Sequence, residues 1–291
     1  MRSYLPSFDM RRAGTVEELL ALLSSQPGAW RPFAGGTDVM VQLAAGTLTH
    51  RQFVSIWGIE ELRRIDVDAA AVTLGSLVTF TDLQRHPVVQ AAFPLLCRAA
   101  AETGGIANQN RGTIGGNIGN GSPAADSPPA LLVYDAELEL ISARWSRRVP
   151  YARFHTGYKQ MDLAADEIIA RIHLPRREQH RVQHFRKVGA RRAQAIAKVC
   201  FAATARLDGA RMVDVRLAFG SVAPTVIRAA ATEALLDGRA VTPRLVAAAL
   251  DALPGDLAPI DDIRSTAAYR LRVARNLLAQ FLGEMVNPRS G

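Results

Sequence analysis

Two short segments of the chain are rich in residues that allow a protein backbone to wrap around an anion. The first runs Phe33-Ala34-Gly35-Gly36-Thr37-Asp38, and the second runs Thr113-Ile114-Gly115-Gly116-Asn117. Glycine lacks the β-carbon that would keep a ligand away from the main chain, so successive amides can point at one oxyanion. A helix predicted from Val39 would add its first amides to the same place. One Gly-Gly pair also fits an ordinary tight turn, but two such segments together favour the pyrophosphate of a dinucleotide.

The second segment belongs to a long stretch, residues 106–130, whose glycines and prolines predict a loop. A long loop inside a compact domain is usually functional or disordered. Asp126, near its end, is suited to accept hydrogen bonds from ribose or ribityl hydroxyls, and capping of the segment from Ser127 is the alternative. Neither segment has the Gly-x-Gly-x-x-Gly or Gly-x-x-x-x-Gly-Lys-Ser/Thr pattern, which argues against Rossmann and P-loop sites.

Other common catalytic patterns are absent from the sequence. The six histidines form no His-Glu-x-x-His or paired ligand spacing, so we expect no zinc site. Cys97 and Cys200 are too few to hold an iron-sulfur cluster, which ordinarily needs four thiolates. Gly121-Ser122-Pro123 is a poor setting for a nucleophile, and no Gly-x-Ser-x-Gly elbow occurs. We therefore expect neither hydrolase chemistry nor a metal centre held by this chain.

The composition indicates a folded protein with a basic surface. The chain has 291 residues, of which 48% are hydrophobic and 21% charged, and its formal net charge is +8. The excess of arginine is dispersed, and no zinc-finger spacing or basic recognition helix accompanies it, so we do not expect a nucleic-acid partner. Met1 to Met10 contains no apolar run typical of a signal peptide, and no stretch of about 18 apolar residues occurs. We therefore expect a cytoplasmic protein without a membrane span.

The elements that must hold the two glycine segments alternate between helix and strand. Thr15 to Glu18 forms a capping box, after which apolar residues recur at helical spacing as far as Leu23. Residues 30–34, 52–57, 72–77, 138–141 and 167–174 are predicted strands, and 39–45, 80–85 and 88–102 are predicted helices. The charged, proline-bearing stretch near residue 177 predicts a domain boundary. The first predicted domain is therefore 1–177.

The remainder, residues 178–291, forms a second predicted domain. Two strand-like runs, 197–207 and 212–219, are joined by Asp208-Gly209, a strong hairpin signal. Helices are predicted at 227–236, 243–253 and 264–285. A hairpin sheet backed by helices gives the α+β class.

The two glycine segments, in this order and followed by Asp126, resemble those of the flavoprotein component of molybdenum hydroxylases. This group contains xanthine dehydrogenase and aerobic carbon monoxide dehydrogenase. The segment from Phe185 to Val199 resembles the start of the family's C-terminal domain, so the resemblance covers almost the whole chain. It implies an FAD-binding domain of the PCMH type, in two subdomains, followed by a domain like the C-terminal domain of carbon monoxide dehydrogenase flavoprotein. The cofactor it implies is FAD.

The resemblance also implies roles for individual residues. Ala34 to Asp38 would hold the pyrophosphate, Thr113 to Asn117 would close over the cofactor, and Asp126 would bind one of its hydroxyls. Lys198 lies where xanthine dehydrogenases have a flavin-contacting lysine, and an exposed strand lysine is the alternative. Ile169 would pack near the flavin ring, with ordinary core packing as the alternative. Ala195 replaces an aromatic residue of the carbon monoxide branch, which favours relatives that oxidise N-heterocycles or aldehydes.

The resemblance further implies partner chains. A molybdenum-cofactor large subunit would oxidise the substrate, and a [2Fe-2S] small subunit would relay electrons to this chain, which would pass them to NAD, oxygen or another acceptor. No catalytic residue for substrate oxidation is expected here. Three alternatives remain open: a non-catalytic assembly subunit with the same fold, the flavoprotein of a carbon monoxide dehydrogenase, and a stand-alone FAD oxidase. The last would need an acid/base cluster that the sequence does not show.

Overall fold

The computed structural model describes residues 7–177, 181–191 and 194–286. The predicted boundary after residue 177 coincides with the start of 178–180, which lie outside the described residues. Within the described part of the chain, no helix has both the length and the apolar character needed to cross a membrane. The same part contains no cluster of three or more His, Cys, Asp or Glu side chains that could hold a metal ion.

The first part of the chain is a small sheet of three strands with two helices. The strands are β1 (Asp9–Arg12), β2 (Arg31–Phe33) and β3 (Gln52–Ser55), and both outer strands pair in parallel with the central β3. Helix α1 (Val16–Ser25) connects β1 to β2, and α2 (Val39–Ala44) follows β2. The Thr15 hydroxyl accepts from the Glu18 amide as predicted, whereas the Glu18 carboxylate accepts from the Gly14 amide instead of closing the capping box.

A five-stranded antiparallel sheet forms the second part. Its strands are β4 (Ile65–Val67), β5 (Ala71–Gly75), β6 (Glu137–Ile141), β7 (Ser146–Pro150) and β10 (Ile168–Pro175), in the order β4-β5-β10-β6-β7. A short 3-10 helix (Glu60–Arg63) precedes β4. Helix α9 (Tyr151–Phe154) and the hairpin of β8 (His155–Gly157) and β9 (Gln160–Met161) connect β7 to β10.

Six helices are inserted between β5 and β6. They are α3 (Phe80–Arg85), α4 (Pro87–Ala92), α5 (Pro94–Glu102), α6 (Ile106–Gln109), α7 (Ile114–Gly119) and α8 (Pro128–Val133). The prediction of one loop over residues 106–130 was therefore wrong, since this stretch holds α6, α7 and the start of α8. The predicted helix 88–102 is interrupted at Phe93, because Pro94 at the first turn of α5 cannot donate the hydrogen bond that continuity requires.

The third part is a four-stranded antiparallel sheet covered by helices. Its strands are β11 (Arg181–Val188), β12 (Val199–Asp208), β13 (Arg211–Gly220) and β14 (Ile227–Arg228), which pair in chain order. The predicted hairpin is confirmed: Asp208 pairs with Arg211, and Gly209 takes a positive φ of 59°. Helices α10 (Ala230–Leu236), α11 (Pro243–Ala252) and α12 (Ala267–Val286) follow, with a 3-10 turn (Leu253–Asp256) after α11. Ile227 and Arg228, predicted as the start of a helix, form β14 instead because they pair with β13.

Three buried clusters stabilise these parts. One lies under α1, another fills the space between the third sheet and α12, and the largest surrounds α5, α7 and α8. The largest cluster also includes Phe185, Cys200 and Ala218 from the third sheet. Apolar packing therefore continues from the second part of the molecule into the third.

Candidate functional site

A cavity of about 1210 Å³ is lined by residues from all three parts of the molecule. This volume exceeds the range of roughly 300–1,000 Å³ that is usual for drug-sized ligands, which suits a dinucleotide. The cavity collects most of the residues that the sequence singled out: Ala34, Gly35, Gly36, Thr37, Asp38, Thr113, Gly115, Gly116, Asn117, Asp126 and Ile169. The two glycine segments thus converge in space on one cavity.

The first glycine segment is shaped by close contacts on both sides. Gly36 takes a positive φ of 76°, and a β-carbon there would lie 2.5 Å from Cζ of Phe33. A β-carbon on Gly35 would lie 1.6 Å from the carbonyl oxygen of Arg111, in the chain just before the second segment. Gly35 is therefore required for the two backbones to meet, apart from any ligand. Phe33 supports the segment from below and does not line the cavity.

The second glycine segment forms α7, with one side against the protein and the other open to the cavity. The Thr113 hydroxyl caps the helix by accepting from the Gly116 amide at 3.1 Å. A β-carbon on Gly115 would lie 2.5 Å from Cβ of Ser76, whereas one on Gly116 would approach only the Thr113 hydroxyl, at 2.8 Å. Gly115 thus allows α7 to pack closely against Ser76. Gly116 carries no side chain that would occupy the cavity. Ile114 is fully buried and contributes to the core instead of the cavity lining.

Side-chain hydrogen bonds hold a polar residue in each of the two glycine segments. The Asn120 amide donates to Asp38 Oδ1 at 3.1 Å, and the amide of Gln42 on α2 donates to the other oxygen of the same carboxylate. The Ser127 hydroxyl donates to Asn117 Oδ1 at 2.6 Å. These bonds orient the side chains of Asp38 and Asn117, both of which line the cavity.

Asp126 is buried and pairs with a lysine of the third sheet. Its Oδ2 lies 2.7 Å from Nζ of Lys187, while Oδ1 has no hydrogen-bond partner among the described residues. Burial raises the pKa of Asp126 to about 6, against the opposing effect of the Lys187 ammonium. The alternative role in capping is not seen, since Ser127 is the N-cap of α8 and no side chain caps that helix.

The opposite wall comes from the start of β10. Ile169 lines the cavity and is also part of the largest apolar cluster, so core packing is observed and packing beside a flavin ring stays a prediction. The preceding Glu167 is held by Arg147 Nε at 2.8 Å, by the Trp145 indole at 3.0 Å and by the Ala164 amide at 2.9 Å. The hydrogen bonds from Arg147 lower the pKa of Glu167 to about 2, so this carboxylate is charged at neutral pH.

Lys198 lies outside the cavity lining. Its ammonium is 5.2 Å from the centre of the Tyr269 ring, and its side chain is half-buried. Ala195, in contrast, does line the cavity and offers no ring there. The absence of an aromatic side chain at 195, noted in the sequence, therefore concerns the cavity wall directly.

Several cavity residues were missed by sequence reasoning, and Arg270 on α12 is the clearest case. Its guanidinium is buried and donates to the carbonyl oxygens of Ser221 at 2.8 Å and Lys198 at 2.9 Å, and to Asp262 Oδ1 at 2.8 Å. In a chain with dispersed arginines, no local pattern distinguishes this one. Its importance follows only from the tertiary structure, in which Arg270 joins the segments around Lys198, Ser221 and Asp262.

Several residues that line the cavity carry a buried polar atom without a hydrogen-bond partner in the described part of the chain. Among the described residues, Ser76 Oγ, Asp126 Oδ1 and Arg270 Nε are buried without a hydrogen-bond partner, and all three residues line the cavity. Buried polar groups without partners are costly, so each such atom calls for an explanation. Together with the glycine backbone, these donors and acceptors fit a cofactor that carries both phosphates and hydroxyls.

Two family models together match nearly the whole chain. Residues 6–177 match the FAD binding domain in molybdopterin dehydrogenase, and residues 184–285 match the CO dehydrogenase flavoprotein C-terminal domain. The chain is 35% identical over 283 residues to the xanthine dehydrogenase FAD-binding subunit of Escherichia coli O157:H7, covering 96% of each protein. It is 29% identical over 277 residues to the carbon monoxide dehydrogenase medium chain of Hydrogenophaga pseudoflava, covering 95% of this chain and 96% of the relative.

Solved structures match over the same extent. A chain of carbon monoxide dehydrogenase from Hydrogenophaga pseudoflava superposes with a TM-score of 0.92 at 30% identity, covering 96% of this chain and 97% of that one. A chain of quinoline 2-oxidoreductase from Pseudomonas putida 86 gives 0.89 at 25% identity, covering 98% and 99%. The arrangement of the three sheets and their helices is therefore shared across nearly the full length of these proteins.

Proposed function

The chain belongs to the family of FAD-binding subunits of molybdenum-dependent dehydrogenases, and we propose on that premise that it is the electron-transfer subunit of such a complex. FAD is its cofactor, and the chain is an oxidoreductase subunit. In this proposal a molybdenum-cofactor large subunit oxidises the organic substrate, and a [2Fe-2S] small subunit relays the electrons. The bound isoalloxazine supplies the redox chemistry, while this chain supplies its position and electrostatic surroundings.

The proposed position of the cofactor is based on the two glycine segments. We propose that the amides of Ala34 to Asp38 bind the pyrophosphate and that Thr113 to Asn117 close over it from α7. Asp126 accepts from a cofactor hydroxyl, and Ile169 packs beside the ring. Phe33 and Ile114 hold the two segments in shape, and Lys198 acts at most through its neighbours. The support for this proposal is the convergence of both glycine segments on one large cavity, which both Gly36 and Gly116 line.

The carboxylates of the cavity favour electron transfer over substrate oxidation at this chain. Among the described lining residues, each one has a partner that holds it: Asp38 binds Asn120, Asp126 binds Lys187, Glu167 binds Arg147 and Asp262 binds Arg270. A general base must reach its substrate and accept a proton. Asp38, Glu167 and Asp262 are held by their partners, and we assign the free Oδ1 of Asp126 to a cofactor hydroxyl, which together argue against a stand-alone oxidase.

For the electron acceptor we propose NAD. The xanthine dehydrogenase relative has the higher identity of the two relatives compared, and Ala195 lacks the ring expected in the carbon monoxide branch. Lys159 and Arg264, both exposed, lie at the cavity and would attract an anionic acceptor such as a dinucleotide. The proposed substrates of the complex are accordingly N-heterocycles or aldehydes.

We also propose a cytoplasmic, two-domain protein divided at residue 177. The first two sheets lie before this point and the third lies after it. Cys97 and Cys200 are both free thiols, as is usual in a reducing compartment.

The experiment is purification of the chain with the proteins that assemble with it, followed by measurement of flavin, molybdenum and iron. We expect one FAD per chain, with molybdenum and iron in the same complex. Anaerobic addition of a candidate N-heterocycle or aldehyde should bleach the flavin absorbance, and NAD should restore it. A colourless complex that does not take up added FAD would favour an assembly subunit. A flavin that substrate reduces in the isolated chain would favour a stand-alone oxidase.

A further inference from the structure

Lys187 on β11 reaches from the third sheet to Asp126, a residue that lines the cofactor cavity. Its ammonium lies 2.7 Å from Asp126 Oδ2 and donates to the carbonyl oxygen of Glu102, the last residue of α5, at 2.8 Å. The Lys187 side chain is only 5% exposed and the Asp126 side chain 10% exposed. Both bonds therefore join the third sheet to the helical insert that holds the second glycine segment.

The burial of the Lys187–Asp126 ion pair is not explained by a contribution to stability. Removing both charges from water is costly, and such a pair is often no better for stability than well-packed apolar residues. The pair is also incomplete, because Asp126 Oδ1 has no hydrogen-bond partner among the described residues. The arrangement thus holds a carboxylate by one oxygen and leaves its second oxygen for something the protein does not supply.

The neighbours of this carboxylate restrict its movement. Strand β12 is paired with β11 so that Cys200 lies opposite Lys187, and the Cys200 thiol lies 3.8 Å from the main-chain oxygen of Asp126. Asp126 also immediately precedes α8, whose residues are buried throughout. The carboxylate is therefore located by the third sheet on one side and by the helical insert on the other.

We propose that Lys187 is a positioning residue for FAD, which holds the Asp126 carboxylate ionised and oriented so that its free oxygen accepts from a cofactor hydroxyl. This inference rests on the proposed cofactor site and adds a residue that the comparisons do not assign. Through Lys187, the affinity for FAD depends on the docking of the third sheet against the insert. Cofactor binding and domain docking consequently stabilise one another.

The charges that face Asp126 determine how the proposed FAD contact of its carboxylate depends on pH. Among the described residues these are Lys187, which favours the ionised carboxylate, and Glu102, which disfavours it, while burial raises the pKa to about 6. Burial also raises the pKa of the Cys200 thiol well above its ordinary value, so that group stays neutral. A hydroxyl that donates to Oδ1 favours the ionised form, and protonation of Oδ1 removes this acceptor. FAD affinity should therefore fall as the pH decreases through about 6.

The test compares dissociation constants for FAD in the full-length chain between pH 5 and 9, by quenching of flavin fluorescence. Lys187→Met should weaken binding about tenfold or more at pH 7, as expected for loss of a charge-assisted arrangement. It should also move the midpoint of the pH profile upwards, because the cation that favours ionisation is gone. Asp126→Asn should weaken binding and remove this pH dependence, and adding Lys187→Met to it should cost little more.

Arg186→Met is the matched control, since Arg186 is the neighbouring cation on β11 and its side chain is exposed. It should leave both the affinity and the pH midpoint unchanged. Thermal unfolding of every variant without FAD separates loss of folding from loss of the cofactor contact. Unchanged FAD affinity and pH midpoint in a folded Lys187→Met chain would overturn the proposal while leaving the cofactor site intact. Failure of the wild-type chain to bind FAD would instead contradict the proposed site itself.

Discussion

Glycine is needed at positions 35 and 116 for different physical reasons. A β-carbon on Gly35 would overlap the backbone of Arg111, whereas one on Gly116 would meet only the hydroxyl of Thr113 and then enter the cavity. Substitution of Gly35 therefore disturbs the contact between the two segments as well as the ligand. A side chain at Gly116 would displace only the Thr113 hydroxyl that caps α7, so its effect on folding should be smaller than at Gly35.

We predict that Gly116→Val abolishes FAD binding and lowers the free energy of unfolding by only about 1 kcal/mol, because the new methyl groups occupy cavity space. Flavin content after purification and urea unfolding of the apoprotein measure the two effects. Gly283→Ala is the control: this exposed helical glycine has open space around its position, so the variant should keep FAD and gain roughly 0.5–1 kcal/mol. Stoichiometric FAD in Gly116→Val would show that the cofactor lies elsewhere.

Glu167 gives a prediction about acid stability. Because its hydrogen bonds from Arg147 lower its pKa from 4.5 to about 2, its contribution is complete above about pH 4.5 and is lost as the pH falls towards 2. Glu167→Gln should therefore lower the free energy of unfolding at pH 7 by about 2 kcal/mol, less than for a fully buried pair because Arg147 is 34% exposed. The difference from wild type, measured by urea unfolding, should shrink between pH 4.5 and 2. A constant difference over this range would contradict the assignment.

At the scale of elements, one carboxylate ties the second and third sheets together. Asp135, directly after α8, lies 2.8 Å from Arg177, 2.7 Å from Arg216 on β13 and 3.1 Å from Arg228 on β14. Arg216 is almost fully buried and also pairs with Asp214 at 2.8 Å, so loss of Asp135 would leave its guanidinium with less compensating negative charge. The cluster complements the apolar packing that already joins these parts.

We predict that Asp135→Ala lowers the free energy of unfolding by about 2 kcal/mol, since the surroundings of the buried Arg216 lose a negative charge and alanine disfavours the left-handed backbone at this position (φ 49°). Equilibrium unfolding in urea measures the loss. Asp251→Ala is the matched control, because its pair with Arg275 is on the surface and the Asp251 side chain is 76% exposed. That variant should change stability by less than about 0.5 kcal/mol. If both substitutions lowered the free energy of unfolding equally, Asp135 would not stabilise the contact between the second and third sheets.

Elements with strong local signals could be predicted from the sequence, and those made by tertiary contacts could not. Thr15 marks the start of α1 and Asp208-Gly209 marks the β12–β13 turn, each through its own side chain or backbone preference. Helix α7 has three glycines in six residues, which predicts a loop. It forms because the amide of Gly115 donates to the carbonyl of Ser76 at 2.9 Å and that of Ile114 to Val78 at 2.9 Å. Ser76 and Val78 lie more than thirty residues before α7, so the sequence around α7 does not reveal these hydrogen bonds.

At the scale of the whole molecule, the comparisons confirm the predicted fold class, family and cofactor. The glycine segments could be recognised because their composition is itself the signal. Lys187 and Arg270 could not, since they lie far along the chain: Arg270 lines the cavity from α12, and Lys187 contacts the lining residue Asp126 from β11. The individual site residues therefore remain predictions, with the convergence of the two segments as their support.

The most direct measurement is a crystal structure of the full-length chain with FAD bound. We predict that the pyrophosphate lies between the backbone of Gly35 to Thr37 and that of Gly115 to Asn117, with a cofactor hydroxyl within hydrogen-bond distance of Asp126 Oδ1. A pyrophosphate bound outside the cavity between these segments, or an Asp126 carboxylate that makes no contact with the cofactor, would contradict this prediction.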